Sequence, residues 1–137
     1  MDDTIPSPPA PHAIALEVRD YECDLQGVVN NAVYQNYLEH ARHEFLKSAG
    51  IDFAALAAAG INLVVVRAEL EYRAPLRPGD RFRVLTRVER ESRVRLAFVQ
   101  AIHRDGEDKP VLTARIVGTA LNERGRPHAP DFLDRLA

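Results

Sequence analysis

The apolar repeat of this chain changes period once, and that change limits what it can fold into. Tyr34, Tyr37, Leu38, Ala41, Phe45 and Ala49 recur at the spacing of one helical face, with Gln35, Glu39, Arg42, His43 and Lys47 mostly opposite. After Gly60 the period becomes two: Val64, Val66, Ala68, Leu70 and Tyr72 oppose Val65, Arg67, Glu69, Glu71 and Arg73. The order is therefore one long amphipathic helix and then strands, which argues for an α+β sheet with a helix on one face.

The remaining elements follow from the same patterns. Ile14, Leu16 and Val18 alternate with Ala15, Glu17 and Arg19, predicting a first strand from Ile14 to Arg19. Asn30 or Asn31 suits the helix N-cap, and Gly50 suits its end. Asp52 can cap a short second helix through the Ala-rich segment that stops at Gly60. The segment Ala74 to Asp80 carries two prolines and a Pro-Gly signal and must be a connection. Phe82, Val84 and Val88 then mark one strand, and Val94, Leu96, Phe98 and Ile102 another. Val111 to Asn122 is apolar on both faces, as in a strand buried on two sides, and the tail from Glu123 is expected to add a helical turn. The expectation is an antiparallel five-stranded sheet whose uncovered edge invites pairing with a second copy.

With 137 residues the chain supports one domain. A formal net charge of -2 gives no global pull toward nucleic acid or an anionic membrane surface. Cys23 is the single cysteine, which rules out an intrachain disulfide and fits a reducing, cytoplasmic setting. No apolar run reaches membrane-spanning length. Residues 1–13 are acidic and Pro-rich without a secretory pattern, and are expected to be a disordered leader.

The stretch from Tyr21 to Tyr34 holds the candidate chemistry. It places a carboxylate, Asp24, a short loop ahead of the amino end of the long helix. Free N–H groups and the helix dipole stabilise negative charge there, as an oxyanion requires, and Asn31 or a neighbour would supply the amide. A thioester whose carbonyl oxygen rests on that terminus could be attacked by Asp24, or by water that Asp24 activates. The plainer alternative is an ordinary loop in which Asp24 bonds its own backbone, Val28 and Val29 join the core, and Tyr34 faces the sheet.

Other clusters carry less. His40 and His43, with Glu39 and Glu44, do not form a known zinc pattern, and a solvated face explains them. Cys23 has no histidine nearby in sequence, and its acidic neighbour disfavours a thiolate. Arg81, Arg83, Arg87, Arg90, Arg93 and Arg95 suit either nucleotide phosphates or plain solvent-facing strands.

The run from Cys23 to Arg42 resembles the signature of hotdog-fold acyl-CoA thioesterases of the 4-hydroxybenzoyl-CoA thioesterase type, matching at Asp24, Gly27, Val28, Val29, Tyr34, Tyr37, Glu39, Ala41 and Arg42. The segment from Leu70 to Asp80 resembles the family's next strand and turn. This resemblance implies a hotdog fold, with the sheet wrapped around the central helix, for a single domain over residues 14–137. It also implies Asp24 as nucleophile or general base and the Asn31 backbone amide as oxyanion donor. Gly27, Val28, Val29 and Tyr34 would then bind substrate, without metal or redox cofactor. The implied substrate is an acyl-CoA or an acyl carrier protein thioester, and the implied assembly a homodimer or homotetramer. Many relatives have a histidine or an aromatic residue where Asn30 and Asn31 stand, a difference that bears on acyl preference. A non-catalytic hotdog domain that binds acyl groups as a sensor or assembly partner is the alternative. A hotdog dehydratase would need a histidine in the loop, which holds none.

Overall fold

The computed structural model describes residues 11–129 and 136. The elements in chain order are β1 (His12–Glu17), a 3-10 turn (Asp20–Glu22), α1 (Asn31–Ser48), α2 (Phe53–Ala58), β2 (Asn62–Tyr72), β3 (Arg81–Arg90), β4 (Arg95–Arg104), β5 (Leu112–Leu121) and β6 (Pro127–His128). One antiparallel sheet runs in the order β1-β3-β4-β5-β2, and β6 pairs with β5 beyond the end of β4. The sheet thus has six strands rather than five. Its additional member comes from the tail, where a helical turn was expected and where residues 130–135 and 137 lie outside the described residues. At the other end β1 begins at His12, so residues 12 and 13 belong to the sheet, while residues 1–10 of the expected leader lie outside the described residues.

The helix starts where its cap allows. Asn30 is extended, and its Oδ1 accepts from the Ala32 N–H at 3.0 Å, satisfying one of the orphan donors of the first turn. The Asp52 carboxylate does the same for α2, accepting from Ala54 and Ala55. The buried stripe of α1 is Tyr34, Tyr37, Leu38, Ala41 and Leu46. Ala49 is exposed, and Leu46 is buried instead, in a second cluster with Ile51 and Leu96. Against that stripe lie Phe82 and Val84 of β3, Ile102 of β4, and Leu112, Ala114 and Ile116 of β5. Burying each large apolar side chain contributes about 1.5–3 kcal/mol. A polar cluster is built into this core: Gln100 donates to the Leu38 carbonyl and to the buried Thr86 Oγ1, both at 3.0 Å, and accepts from Arg42. Such a satisfied amide fixes the helix's register on the sheet without leaving an unpaired donor.

β2 departs from the simple alternation read in the sequence. The pairing with β5 shifts between Val65 and Arg67, so that Val65 faces Gly118 and Arg67 faces Val117, leaving Val66 unmatched. This bulge reverses the phase. Leu63 and Val65 share a face with Ala68, Leu70 and Tyr72, whereas Val64 lies on the other side. An all-valine run hides such a shift, because every residue in it suits either face.

Helix α1 lies closest to β3 and β1. The β5–β2 side of the concave sheet is left partly uncovered, and β2 forms an edge carrying the exposed residues Leu63, Val65, Val66 and Tyr72.

Candidate active site

The loop ahead of α1 is a tight hairpin. Cys23 and Val29 form a bridge, the Asn30 N–H donates to the Glu22 carbonyl at 3.0 Å, and the Asp24 N–H donates to the Val28 carbonyl at 2.9 Å. Gly27 sits at φ 74, a left-handed conformation that a residue with a Cβ resists, and its N–H donates to the Asp24 carbonyl. The Asp24 side chain turns back on this hairpin: Oδ1 accepts from the Gln26 N–H at 2.9 Å and the Val28 N–H at 3.4 Å. The loop therefore contains the local Asp-backbone turn weighed as the plainer alternative. Yet that turn uses one oxygen. Oδ2 accepts from no group among the described residues, and Asp24 is exposed.

Where the hairpin closes, α1 begins. The Ala32 N–H is taken by the Asn30 cap and the Val33 N–H by the Asn30 carbonyl at 2.9 Å. The Asn31 N–H has no acceptor among the described residues, and Asn31 is an exposed residue at the positive end of the helix dipole. The site thus offers one anchored carboxylate with a free oxygen and one unoccupied helix-terminal amide, seven residues apart along a single short loop. A helix-terminal amide stabilises negative charge, and a carboxylate serves as a base or nucleophile.

The other residues named from the sequence take different places. Val28 is half-buried in the turn. Val29 is 2% exposed and belongs to the core, where its N–H donates to the Leu76 carbonyl at 2.9 Å. Tyr34 is 4% exposed, and its hydroxyl accepts from the Leu76 N–H at 3.0 Å. Burial pushes the Tyr34 hydroxyl above its ordinary pKa, with the Leu76 hydrogen bond opposing. Within the single chain Val29 and Tyr34 support the loop from beneath. Desolvation, followed by the Asp20 and Asp24 carboxylates, pushes the Cys23 thiol up and disfavours the thiolate.

Three supports were not legible in the sequence. Glu22 Oε1 accepts from the Arg19 N–H and from the Tyr37 hydroxyl, both at 2.8 Å, clamping the hairpin base to α1. Burial, then the hydrogen bond to Glu22, drives the Tyr37 pKa far up, so it stays neutral as a donor. Leu76 ties the Pro-rich connection to both the loop and the helix. Arg104 holds that connection in turn, donating to Asp80 Oδ2 at 3.2 Å and to the Pro75 carbonyl. The Pro-Gly signal marked a turn, but nothing in it pointed to Arg104, a full strand away.

Elsewhere, His43 lies 3.8 Å from Glu39 and its ring is tilted against that of Phe53, while Glu44 pairs with Lys47. The arginines at 81, 83, 87, 90, 93 and 95 are all exposed.

A sheet curved around one long helix, with a carboxylate loop at the helix's amino end, defines a hotdog-fold protein. The chain belongs to the thioesterase-like superfamily, whose model matches residues 18–136. It is similar to two acyl-acyl carrier protein thioesterases of Arabidopsis thaliana, both chloroplastic: ATL2 at 44% identity and ATL3 at 41%, each over 85% of this chain. The chain spans 62% and 61% of their respective lengths. Among solved structures, a hypothetical protein from Aquifex aeolicus is 30% identical with a TM-score of 0.84, covering 93% of this chain and 100% of that one. A 1,4-dihydroxy-2-naphthoyl-CoA thioesterase from Synechocystis shares the fold at a TM-score of 0.84 and 18% identity, covering 90% of this chain and 93% of its own.

Proposed function

We propose that this protein hydrolyses an acyl-CoA or acyl carrier protein thioester to a free acid and a thiol, in the manner of the 4-hydroxybenzoyl-CoA thioesterase type. The observation that carries the proposal is that Asp24 Oδ2 and the Asn31 N–H, on one short hydrogen-bonded loop, both lack partners among the described residues. The thioesterase names of the relatives support the same reaction. The carbonyl oxygen rests on the Asn31 amide, where developing negative charge meets the helix dipole. Asp24 then acts by one of two routes. As general base it takes a proton from water, the hydroxide adds to the carbonyl carbon, and the tetrahedral intermediate expels the thiolate, which is reprotonated. As nucleophile it forms an acyl-aspartyl anhydride with loss of the thiolate, and water then cleaves the anhydride to regenerate the carboxylate. Neither route calls on a metal or redox cofactor.

The working form is a homodimer, with a homotetramer as a further step. Its support is β2, an eleven-residue edge strand with exposed apolar side chains and unpaired backbone groups. Joining two such edges would place a second protomer beside Tyr72, whose hydroxyl lies 3.5 Å from the Asn31 carbonyl, to complete an acyl pocket with Gly27 and Val28. A reducing cytoplasm suits the lone, unpaired Cys23. Thiol release from panels of acyl-CoA and acyl carrier protein thioesters, with sedimentation on the same sample, tests this reading. Turnover by a dimer or tetramer supports it. Failure to hydrolyse any thioester, with acyl-CoA still bound, would favour the non-catalytic acyl-binding alternative.

A further inference from the structure

We infer that the cavity beneath α2 receives the tail of an unbranched aliphatic acyl chain, so that the preferred substrates are medium to long aliphatic thioesters rather than compact aromatic ones. The inference rests on the thioesterase reading for the source of the acyl group, but its geometry is separate from Asp24.

The cavity has a volume of about 480 Å3, within the ordinary range for a small-ligand site. Phe53, Leu56 and Ala57 of α2 and Leu46 of α1 line it with Leu96 and Phe98 of β4. Two features of the backbone keep it open. Gly118 stands in mid-strand with no side chain opposite Val65, and a Cβ there would come within 3.2 Å of the Val64 carbonyl and 3.9 Å of the Phe98 ring. The bulge at Val66 turns Leu63 and Val65 to the helix side, adding apolar wall. Glycine inside a strand sacrifices packing and usually marks a close approach, and here it borders a void.

A smaller trough leads from this cavity along α1. It is about 240 Å3 in volume, runs between Gln35 and Leu38 of the helix and Ala68 and Ile116 of the sheet, and shares Glu39, Arg42 and Val65 with the larger cavity. Gln35 is its lining residue nearest the helix start, four residues along α1 from Asn31, and Ala68 shares a face of β2 with Tyr72, whose hydroxyl lies 3.5 Å from the Asn31 carbonyl. The trough therefore starts about one helical turn from the proposed oxyanion donor, and distances along α1 are measured from Asn31. With a helical rise of 1.5 Å per residue, it reaches Glu39 after about 12 Å and Leu46 after about 22 Å. An extended hydrocarbon with bonds of about 1.5 Å advances about 1.3 Å per carbon, so about nine carbons reach the cavity and about seventeen fill it. The stems of Glu39 and Arg42 can wall the passage with their heads in solvent.

The test is a chain-length profile of acyl-CoA hydrolysis, from butanoyl to hexadecanoyl with benzoyl, for the native protein, Val65→Trp and Ala57→Phe. A dansyl-labelled undecanoic acid is titrated into each as a readout independent of turnover. Both Val65 and Ala57 border the cavity; because Val65 also lies on the proposed edge-to-edge joint, sedimentation accompanies each titration, and Ala57→Phe on α2 tests the cavity away from that joint. Each methylene displaced from the cavity costs about fourfold in affinity. The expected result is a native preference for chains of ten carbons or more. In both variants the tetradecanoyl to butanoyl ratio of kcat/KM falls at least tenfold, and dansyl acid binding weakens to match. Native hydrolysis with a profile and dansyl affinity that neither variant alters would overturn the inference and leave the thioesterase reading standing. Dansyl acid binding that both variants weaken, without hydrolysis of any thioester, would sink the thioesterase reading and uphold the cavity's role.

Discussion

The Leu76 N–H donates to the hydroxyl of Tyr34 at 3.0 Å, while the Leu76 carbonyl accepts from the Val29 N–H at 2.9 Å. One fully buried residue of the Pro-rich connection thus secures both the loop that carries Asp24 and the first turn of α1. A tyrosine expected to line an acyl pocket is, within one chain, the acceptor for a buried amide.

Tyr34→Phe should leave that amide unpaired. The expected loss is about 1–3 kcal/mol of stability, from the desolvation of an unsatisfied donor. Urea unfolding of the two proteins measures it, and an unchanged midpoint would show that water or a shifted backbone takes the hydroxyl's place.

Tyr37 predicts an alkaline instability. Its folded pKa lies well above the ordinary 10.0, chiefly through burial, so the folded state holds the proton more tightly than the unfolded chain. That contribution is complete below pH 10 and declines as the pH rises beyond the unfolded value toward the folded one. Native protein should therefore lose stability above about pH 10, and Tyr37→Phe, which cannot ionise, should lose less over the same interval. Urea midpoints at pH 8 and pH 10.5 supply the comparison; parallel declines would contradict it.

Gly27→Val places a β-branched residue at φ 74 with nothing within 4 Å of its Cβ, so the cost is conformational and not steric crowding. Stability should fall by about 1 kcal/mol or more. If the turn relaxes, Asp24 moves with it, and thiol release should drop more than the folded fraction does. Circular dichroism melts run beside thiol-release assays separate the two effects.

The order of elements was legible because each period was strong. Tyr34 to Ala41 is helical in pattern and in fact, Asn30 and Asp52 are the caps their side chains suggested, and Phe82 and Val84 alternate as a half-buried strand must. Two kinds of information were not legible. The phase of β2 was masked by three consecutive valines, because a bulge there leaves the composition of both faces apolar. The supports of the site, Glu22 to Tyr37 and Leu76 to Tyr34, join residues 15 and 42 positions apart, and no local pattern encodes such a pairing. The candidate carboxylate was identified, but the exposed freedom of its Oδ2 and of the Asn31 N–H depends on which backbone groups the turn and cap consume.

The most direct measurement is thiol release by native protein and by Asp24→Asn, across short, long and aromatic acyl-CoAs, with both proteins verified as folded. The amide keeps the side chain's shape and an acceptor oxygen for the Gln26 N–H, but it can neither accept a proton nor attack a thioester. A fall of roughly a hundredfold or more is expected, the scale of a lost general base or nucleophile. Equal turnover by the two proteins would contradict the account, leaving Asp24 a turn residue and placing the chemistry elsewhere.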